Sequence, residues 1–259
     1  IGVRLVGSEM CIRDRYGIGS FSKEAYRFVD WLRSAHQSYW QILPMGPTGY
    51  GDSPYQSFST FAGNPYFIDL DTLVDQRLLT DSECSEMDWG EDDRYVEYSK
   101  IYNGRYSLLR KAYERWKMTD SMEFSLFMDE NSDWIYDYSL FMAVKDLFGG
   151  IPWTEWPQDI RNRQPDAVQQ MQVKLADEIH FQQYMQYLFY TQWNALKSYA
   201  NKNHIRIIGD IPIYVAMDSA DVWAHPELFR LDEDRRPYEV AGCPPDGFSE
   251  TGQLWGNPI

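Results

Sequence analysis

Apolar residues recur at helical spacing in several stretches of the chain, and this pattern predicts amphipathic helices. The clearest case is Asp177–Asn201, where the large apolar side chains form a single stripe that we assign to a core. Ser22–Ser34 shows the same pattern on a shorter scale. Three further helices are predicted, at Tyr106–Trp116, Met122–Met128 and Tyr136–Phe148.

Two other apolar stretches have the composition of buried β-strands. Tyr39–Leu43 is a compact apolar run, and Ile205–Val215 is rich in β-branched residues. Because the second run follows a long predicted helix, it is typical of a buried parallel strand. Alternation of helices and strands in this order predicts an α/β fold.

Two loops rich in Gly and Pro also carry polar and aromatic residues. The first, Gly46–Gln56, follows the first predicted strand, and the second is Ala241–Pro258. Gly and Pro fix unusual backbone conformations in such loops. From the residues alone, the first loop is equally well interpreted as a stiff turn or a binding loop. The second fits a mobile aromatic lid over a groove or an ordinary surface loop.

Carboxylates near the predicted strand end are the first candidates for chemistry. Asp210 ends the second predicted strand, and in β/α barrels such strand ends line the active-site face. The residues alone favour a structural carboxylate that caps the following loop. Asp218 and Asp221 flank the start of a predicted helix in an arrangement like a capping box, so we predict structural roles for both.

Composition limits the possible partners. The formal net charge of −15 disfavours nucleic acid and anionic membranes. No run approaches the roughly 18 apolar residues of a membrane span. Aromatic residues make up 16% of the chain, and flat amphipathic rings suit the faces of sugars. The scattered cysteines and isolated histidines predict no metal and no cofactor, and with the absence of a signal-peptide pattern they predict a cytoplasmic location.

Three motifs together resemble the 4-α-glucanotransferases of glycoside hydrolase family 77, which are also called amylomaltases or disproportionating enzymes. The first motif is YWQILP followed by GPTGYGDSPYQSFSTFAGNPYFIDL. The other two are GDIPIYVAMDSADVW and AGCPPDGFSETGQLWGNP. The resemblance extends from about Tyr16 to Ile259 and is carried by long, specific motifs.

The resemblance implies an α/β fold, the N-terminal part of a (β/α)8 TIM barrel that is incomplete in this chain. Residues 1–15 lack any clear period, and we interpret them as a non-native leader. The first barrel units would occupy 16–70, and a mainly helical inserted subdomain 71–177. A further barrel unit and a lid loop, truncated at its end, would follow at 178–259.

The resemblance also implies retaining transfer of an α-1,4-glucan segment between maltooligosaccharides or starch- and glycogen-derived glucans. It implies Tyr50 in a secondary glucan-binding groove. Six other residues are implied to contact substrate: Ser53, Tyr55, Asp210, Asp246, Phe248 and Trp255.

None of these residues is expected to break bonds. The resemblance places the nucleophilic Asp, the acid/base Glu and a third, stabilising Asp beyond Ile259, so we expect the isolated chain to be inactive. Two alternatives remain open at this point. One is a glucan hydrolase of the α-amylase clan, and the other is a non-catalytic glucan-binding module. The sequence does not predict an oligomeric state.

Overall fold

Helices and short strands alternate along the chain. The structure, a computed structural model, describes residues 15–49, 53–90, 96–119, 121–247 and 249–259. The α-helices are α1 (Lys23–Ser34), α2 (Leu70–Asp75), α3 (Asp81–Ser85), α4 (Tyr98–Trp116), α5 (Met122–Glu130), α6 (Ile135–Leu147), α7 (Gln158–Arg161), α8 (Pro165–Lys174), α9 (Ala176–Lys202) and α10 (Ala220–Ala224). The strands are β1 (Tyr39–Gln41), β2 (Arg206–Ile208), β3 (Val240–Cys243) and β4 (Gln253–Pro258). Short 3-10 helices lie at Pro65–Phe67, Trp153–Glu155 and Pro226–Leu228.

The chain divides into two compact units, each assembled from separate segments. Unit 1 contains the described residues of Ile1–Met45, Gly63–Glu130 and Tyr184–Asp210. Unit 2 contains those of Gly46–Ala62, Asn131–Gln183 and Ile211–Ile259. The predicted inserted subdomain, 71–177, therefore contributes residues to both units. All regular elements described within it are helical.

The predicted helices are present, and the apolar faces of α1 and α9 are buried. In α1, Ala25, Val29 and Leu32 are buried, as their spacing predicts. In unit 1, the ring of Tyr184 from α9 lies 4.5 Å from that of Trp116 in α4, measured between centroids. Four residues of the predicted stripe on α9 are buried, which confirms that it belongs to a core: Met185, Leu188, Phe189 and Leu196.

The two strands of unit 1 pair in parallel, as the sequence predicts. Trp40 lies opposite Ile207, and Ile208 accepts a 2.9 Å hydrogen bond from the backbone N–H of Ile42. The prediction that the second strand is buried is wrong, because the Ile208 side chain is 46% exposed. The reason is that β2 pairs only with β1 among the described strands. A β-branched run indicates a strand without specifying what covers it.

Two buried glutamines of α9 hold irregular backbone in unit 1. Gln186 accepts a hydrogen bond from the Gly63 N–H at 2.7 Å and donates one to the Gly63 carbonyl at 2.9 Å. Gln192 makes the same pair of bonds to Asp69, at 2.7 and 3.2 Å. A Cβ on Gly63 would lie 2.2 Å from the Phe189 ring, so this close approach requires glycine.

A buried ion pair lies in unit 2. The Lys145 ammonium donates to an Asp218 oxygen at 2.6 Å, and its side chain is only 6% exposed. The other Asp218 oxygen accepts from the Trp153 N–H at 3.2 Å. Helix α6, which carries Lys145, ends at Leu147 and is followed by Phe148 and then by Gly149 and Gly150, both with positive φ (69° and 81°). These two glycines end the helix as their sequence predicts.

The structural roles predicted for Asp218 and Asp221 hold, but the predicted capping box is wrong. Ser219 caps α10, since its side chain accepts from the Val222 N–H at 3.3 Å. Asp221 instead accepts from the Thr60 N–H at 3.0 Å. Both carboxylates bind groups distant in sequence, which local spacing does not reveal.

An antiparallel pair, β3 and β4, completes the regular structure of unit 2. Gly242 lies opposite Leu254, and the register shifts between Val240 and Gly242. Such an irregularity bends a strand locally.

Among the described residues, no helix is long and apolar enough to cross a membrane.

Candidate functional site

The first Gly/Pro loop folds back on itself in unit 2. Its two sides meet through a bridge between Thr48 and Ser57, supported by a 3.2 Å hydrogen bond from the Gly49 N–H to the Gln56 carbonyl. A Cβ on Gly46 would lie 2.4 Å from the Ser57 hydroxyl, which itself donates to the Ser59 carbonyl. Glycine therefore permits the close return of the chain.

Ser53 and Tyr55 occupy the turn of this loop. The Ser53 hydroxyl accepts a hydrogen bond from the Tyr55 N–H at 3.3 Å, and the Ser53 carbonyl accepts from the Gln56 N–H at 3.1 Å. The Tyr55 ring is left 44% exposed. The turn thus presents an aromatic face to solvent on a backbone held by local hydrogen bonds.

Asn257 joins the three motifs of the sequence. Its carboxamide oxygen accepts from the Gln56 side chain at 3.0 Å. Its nitrogen donates to the carbonyls of Tyr214 and Val215, at 3.2 and 2.8 Å. Asn257 is buried, so these hydrogen bonds are shielded from competing water. One side chain therefore fixes the first loop, the segment after residue 210 and strand β4 relative to each other.

Next to Asn257, two aromatic rings lie close together. The Trp255 ring centroid is 6.3 Å from that of Tyr214, at an angle of 44°. The Trp255 indole N–H donates to the Gln253 side chain at 2.9 Å, and the residue is 46% exposed. With its polar tip already bonded, the ring offers an apolar face.

Asp246 organises the loop between β3 and β4. Its carboxylate accepts from the Ser249 N–H at 2.9 Å, and its own N–H donates to the Ser249 carbonyl at 3.0 Å. Gly252 has a φ of 74°, and a Cβ there would lie 2.5 Å from the Cys243 carbonyl oxygen. Part of the Asp246 carboxylate is thus used to hold the turn, and the residue remains exposed.

The predicted site residues are distributed over both units. Unit 2 contains Ser53, Tyr55, Asp246 and Trp255, whereas Asp210 belongs to unit 1 and follows β2. Tyr50 and Phe248 lie outside the described residues.

Three residues outside the predicted set of substrate contacts also lie in this part of unit 2: Gln56, Tyr214 and Asn257. All three lie inside the quoted motifs, but only the fold shows that they contact each other. Aromatic faces with nearby amide groups are suited to binding a sugar ring. In the described part of unit 2, Tyr55 and Trp255 are exposed aromatic residues of this kind.

The large pKa shifts belong to unit 1. The Arg115 guanidinium donates to Glu83 and lowers the pKa of that carboxyl to about 2. Burial raises the pKa of the Cys84 thiol to about 11. Arg115 holds Glu83 through two hydrogen bonds of 2.9 and 2.7 Å, a structural pairing. A thiol with a raised pKa is a poor nucleophile, so Cys84 is a structural residue.

Comparison with known proteins identifies the family. The family model described as 4-alpha-glucanotransferase matches residues 10–259, and the chain belongs to this family. It is 50% identical to a 4-alpha-glucanotransferase of Clostridium butyricum over 246 residues, covering 95% of this chain and 50% of the relative. It is 52% identical to one of Streptococcus pneumoniae, covering 94% and 49%.

A solved structure agrees with this assignment. The amylomaltase from Streptococcus agalactiae in complex with acarbose matches with a TM-score of 0.94 at 42% identity, covering 98% of this chain and 52% of that one. The chain spans about half the length of the relatives it matches. The match to the family model begins at residue 10, within the segment 1–15 that we interpreted as a leader. Arg15, the last residue of that segment, donates a hydrogen bond to the Asp81 carboxylate at 2.7 Å.

Proposed function

We propose that this chain binds α-1,4-glucans as part of a 4-α-glucanotransferase. Membership of the family supports the reaction, and the acarbose bound to the related amylomaltase supports a saccharide ligand. The reaction would transfer a glucan segment from one maltooligosaccharide to the 4-hydroxyl of another with retention of configuration.

The observation that carries the proposal is the set of hydrogen bonds made by Asn257. They unite the loop that presents Tyr55 with the segment of Tyr214, beside the exposed ring of Trp255. We propose that Tyr55 and Ser53 contact the donor sugar. Trp255, with Asp246 in its loop and Phe248, would contact the acceptor side.

The remaining assignments follow from family membership. Asp210 would bind the reacting sugar, and Tyr50 would belong to a secondary glucan groove. The fold would be part of a TIM barrel with an inserted helical subdomain at 71–177, in a cytoplasmic enzyme. Retaining transfer needs a nucleophilic carboxylate and an acid/base. It also needs water kept from the covalent intermediate, a task that aromatic loops are suited to perform.

Glucan binding is tested by titrating the chain with maltoheptaose and following tryptophan fluorescence. Tyr55→Ala and Trp255→Ala should each weaken binding about tenfold, because each removes one aromatic face. Tyr238→Ala is the matched control, since Tyr238 is an exposed tyrosine of unit 2 outside the site. Unchanged affinity in both site variants would contradict the proposed contacts.

The reaction is tested with maltotriose. We expect the 259 residues to bind sugars without transferring them, since the family resemblance assigns none of their carboxylates a bond-breaking role. Glucose together with longer maltodextrins would contradict this expectation while supporting the transferase class. Release of only shorter sugars would contradict the transferase assignment itself.

A further inference from the structure

Unit 2 contains a second candidate site, a cavity of about 190 Å³. This volume exceeds by more than tenfold the roughly 10–15 Å³ that one water molecule requires. It is large enough for a small solute. The described lining residues are Trp153, Arg161, Asn162, Arg163, Trp223, Ala224, Pro226, Glu227 and Arg235.

The lining of the cavity carries more positive than negative charge. Three guanidinium groups face one described carboxylate, that of Glu227. Among the described residues, Arg161 and Arg235 have no carboxylate within salt-bridge distance, whereas Arg163 contacts Asp137 at 2.5 Å. The chain as a whole has a net charge of −15, whereas the arginines in this lining outnumber its single described carboxylate. Concave cationic surfaces concentrate anions.

Two of the guanidinium groups are also held by neutral groups, in addition to the ion pair between Arg163 and Asp137. The Arg161 Nη1 donates to the Thr154 carbonyl at 3.1 Å, which orients the group without neutralising it. The Arg163 guanidinium lies 4.3 Å from the centroid of the Trp223 ring. The Trp223 indole is itself fixed by a 3.1 Å hydrogen bond to the Ile160 carbonyl. Guanidinium groups held in this way lose little entropy when an anion binds.

Two of the arginines that line the cavity lie at backbone positions with positive φ. Arg163 has a φ of 52° and Arg235 a φ of 65°, in the left-handed region where glycine is normally preferred. Arg163 follows the end of α7 at the position that glycine commonly takes. Arg235 closes a turn in which its N–H donates to the Asp232 carbonyl at 3.0 Å. Both positions retain a side chain despite this cost.

From the cavity and its arginines, we propose that Arg161, Arg163 and Arg235 bind a small tetrahedral oxyanion, a phosphate group. Guanidinium recognises phosphate through paired, charge-assisted hydrogen bonds, and the neighbouring Asn162 adds an amide donor. Free phosphate and a phosphate group carried by a sugar both present the chemistry that these arginines recognise. This proposal is independent of the proposed glucan transfer.

The test is isothermal titration calorimetry of the full 259-residue chain with inorganic phosphate, glucose 1-phosphate, glucose 6-phosphate and unmodified glucose. We expect phosphate to bind with an affinity that falls as sodium chloride is added. Arg235→Gln should weaken binding about tenfold, because it removes one charge-assisted partner. Arg236→Gln is the matched control, since Arg236 is the exposed neighbour in the same turn and does not line the cavity.

The outcomes separate the two sources of phosphate. Tighter binding of a sugar phosphate than of inorganic phosphate would assign the site to phosphorylated sugars, and equal affinities would assign it to free phosphate. The proposal is overturned if no phosphate compound binds or if glucose binds as tightly as the phosphate compounds. It is also overturned if Arg235→Gln weakens binding no more than the control Arg236→Gln. Arg161→Gln gives a second, independent variant with the same expected loss, and thermal unfolding verifies that each variant is folded.

Discussion

Units 1 and 2 each use a buried side-chain carboxamide to hold irregular backbone, but the carboxamide comes from a helix in unit 1 and from a strand in unit 2. In unit 1, Gln186 extends from the long helix α9 and bonds both polar groups of Gly63. In unit 2, Asn257 extends from the strand β4 and bonds a side chain and two carbonyls of separate segments. The first arrangement fastens a loop to a rigid element, and the second fastens segments to each other.

The charged pairs of the two units differ as well. Glu83 and Arg115 of unit 1 are partly exposed, with side-chain exposures of 18% and 42%. Lys145 of unit 2 is almost fully buried against Asp218. Solvent screens the first pair, so it contributes little stability, whereas loss of one partner in the second leaves a buried charge. Of these two ion pairs, the one in unit 2 is therefore the more important for stability.

The largest effect is expected for Asp218→Asn. Removal of the carboxylate leaves the Lys145 ammonium buried without a counter-charge, which should lower the free energy of unfolding by about 3 kcal/mol. Urea unfolding measures this change, with Glu233→Gln as the exposed control in unit 2. Lys145→Met in the Asp218→Asn background should recover part of the loss. If it recovers none, the buried charge is not the cause.

Gln186→Met should follow, with a loss of about 2 kcal/mol. The variant keeps the side-chain volume but leaves the buried N–H and carbonyl of Gly63 without their partner. Denaturant unfolding is the measurement. Asn194→Leu, on the exposed face of the same helix, controls for the change from amide to apolar side chain. Equal effects of the two substitutions would refute a specific role for Gln186.

Asn257→Leu should separate stability from binding. Because Asn257 joins segments rather than a helix, we expect a stability loss of about 1 kcal/mol. Maltoheptaose affinity should fall about tenfold, since the Tyr55 loop and the Tyr214 segment lose their common anchor. Gln170→Leu, exposed on α8, serves as the control. Retention of full affinity would show that the loops are positioned without Asn257.

The smallest effect is expected for Glu83→Gln, and it should depend on pH. Arg115 lowers the pKa of Glu83 from 4.5 to about 2, so the carboxylate stabilises the folded state above pH 4.5. This contribution is lost as the pH falls from 4.5 through about 2. The substitution should cost about 1 kcal/mol at about pH 7 and less at about pH 3. Thermal unfolding at both pH values, with Glu114→Gln as control, tests for this difference; a cost independent of pH would contradict it.

Much of the secondary structure was predictable because it depends on local sequence. The apolar spacing of Ser22–Ser34 and Asp177–Asn201 predicted α1 and α9, and two apolar runs predicted the parallel strands. The exposure of Ile208 was not predictable, since a strand's composition does not specify its neighbours. The same limit explains the error at Asp218, whose partner Lys145 lies 73 residues away in the sequence.

The sequence by itself determined the family, because its long loop motifs are specific, and it determined where helices and strands form, because periodicity is a local property. Only the tertiary structure decided the partners of Asn257, one of them 201 residues away, and the gathering of the arginines around one cavity. The physical reason is that a buried polar side chain bonds whichever groups packing leaves beside it. That choice depends on the complete fold.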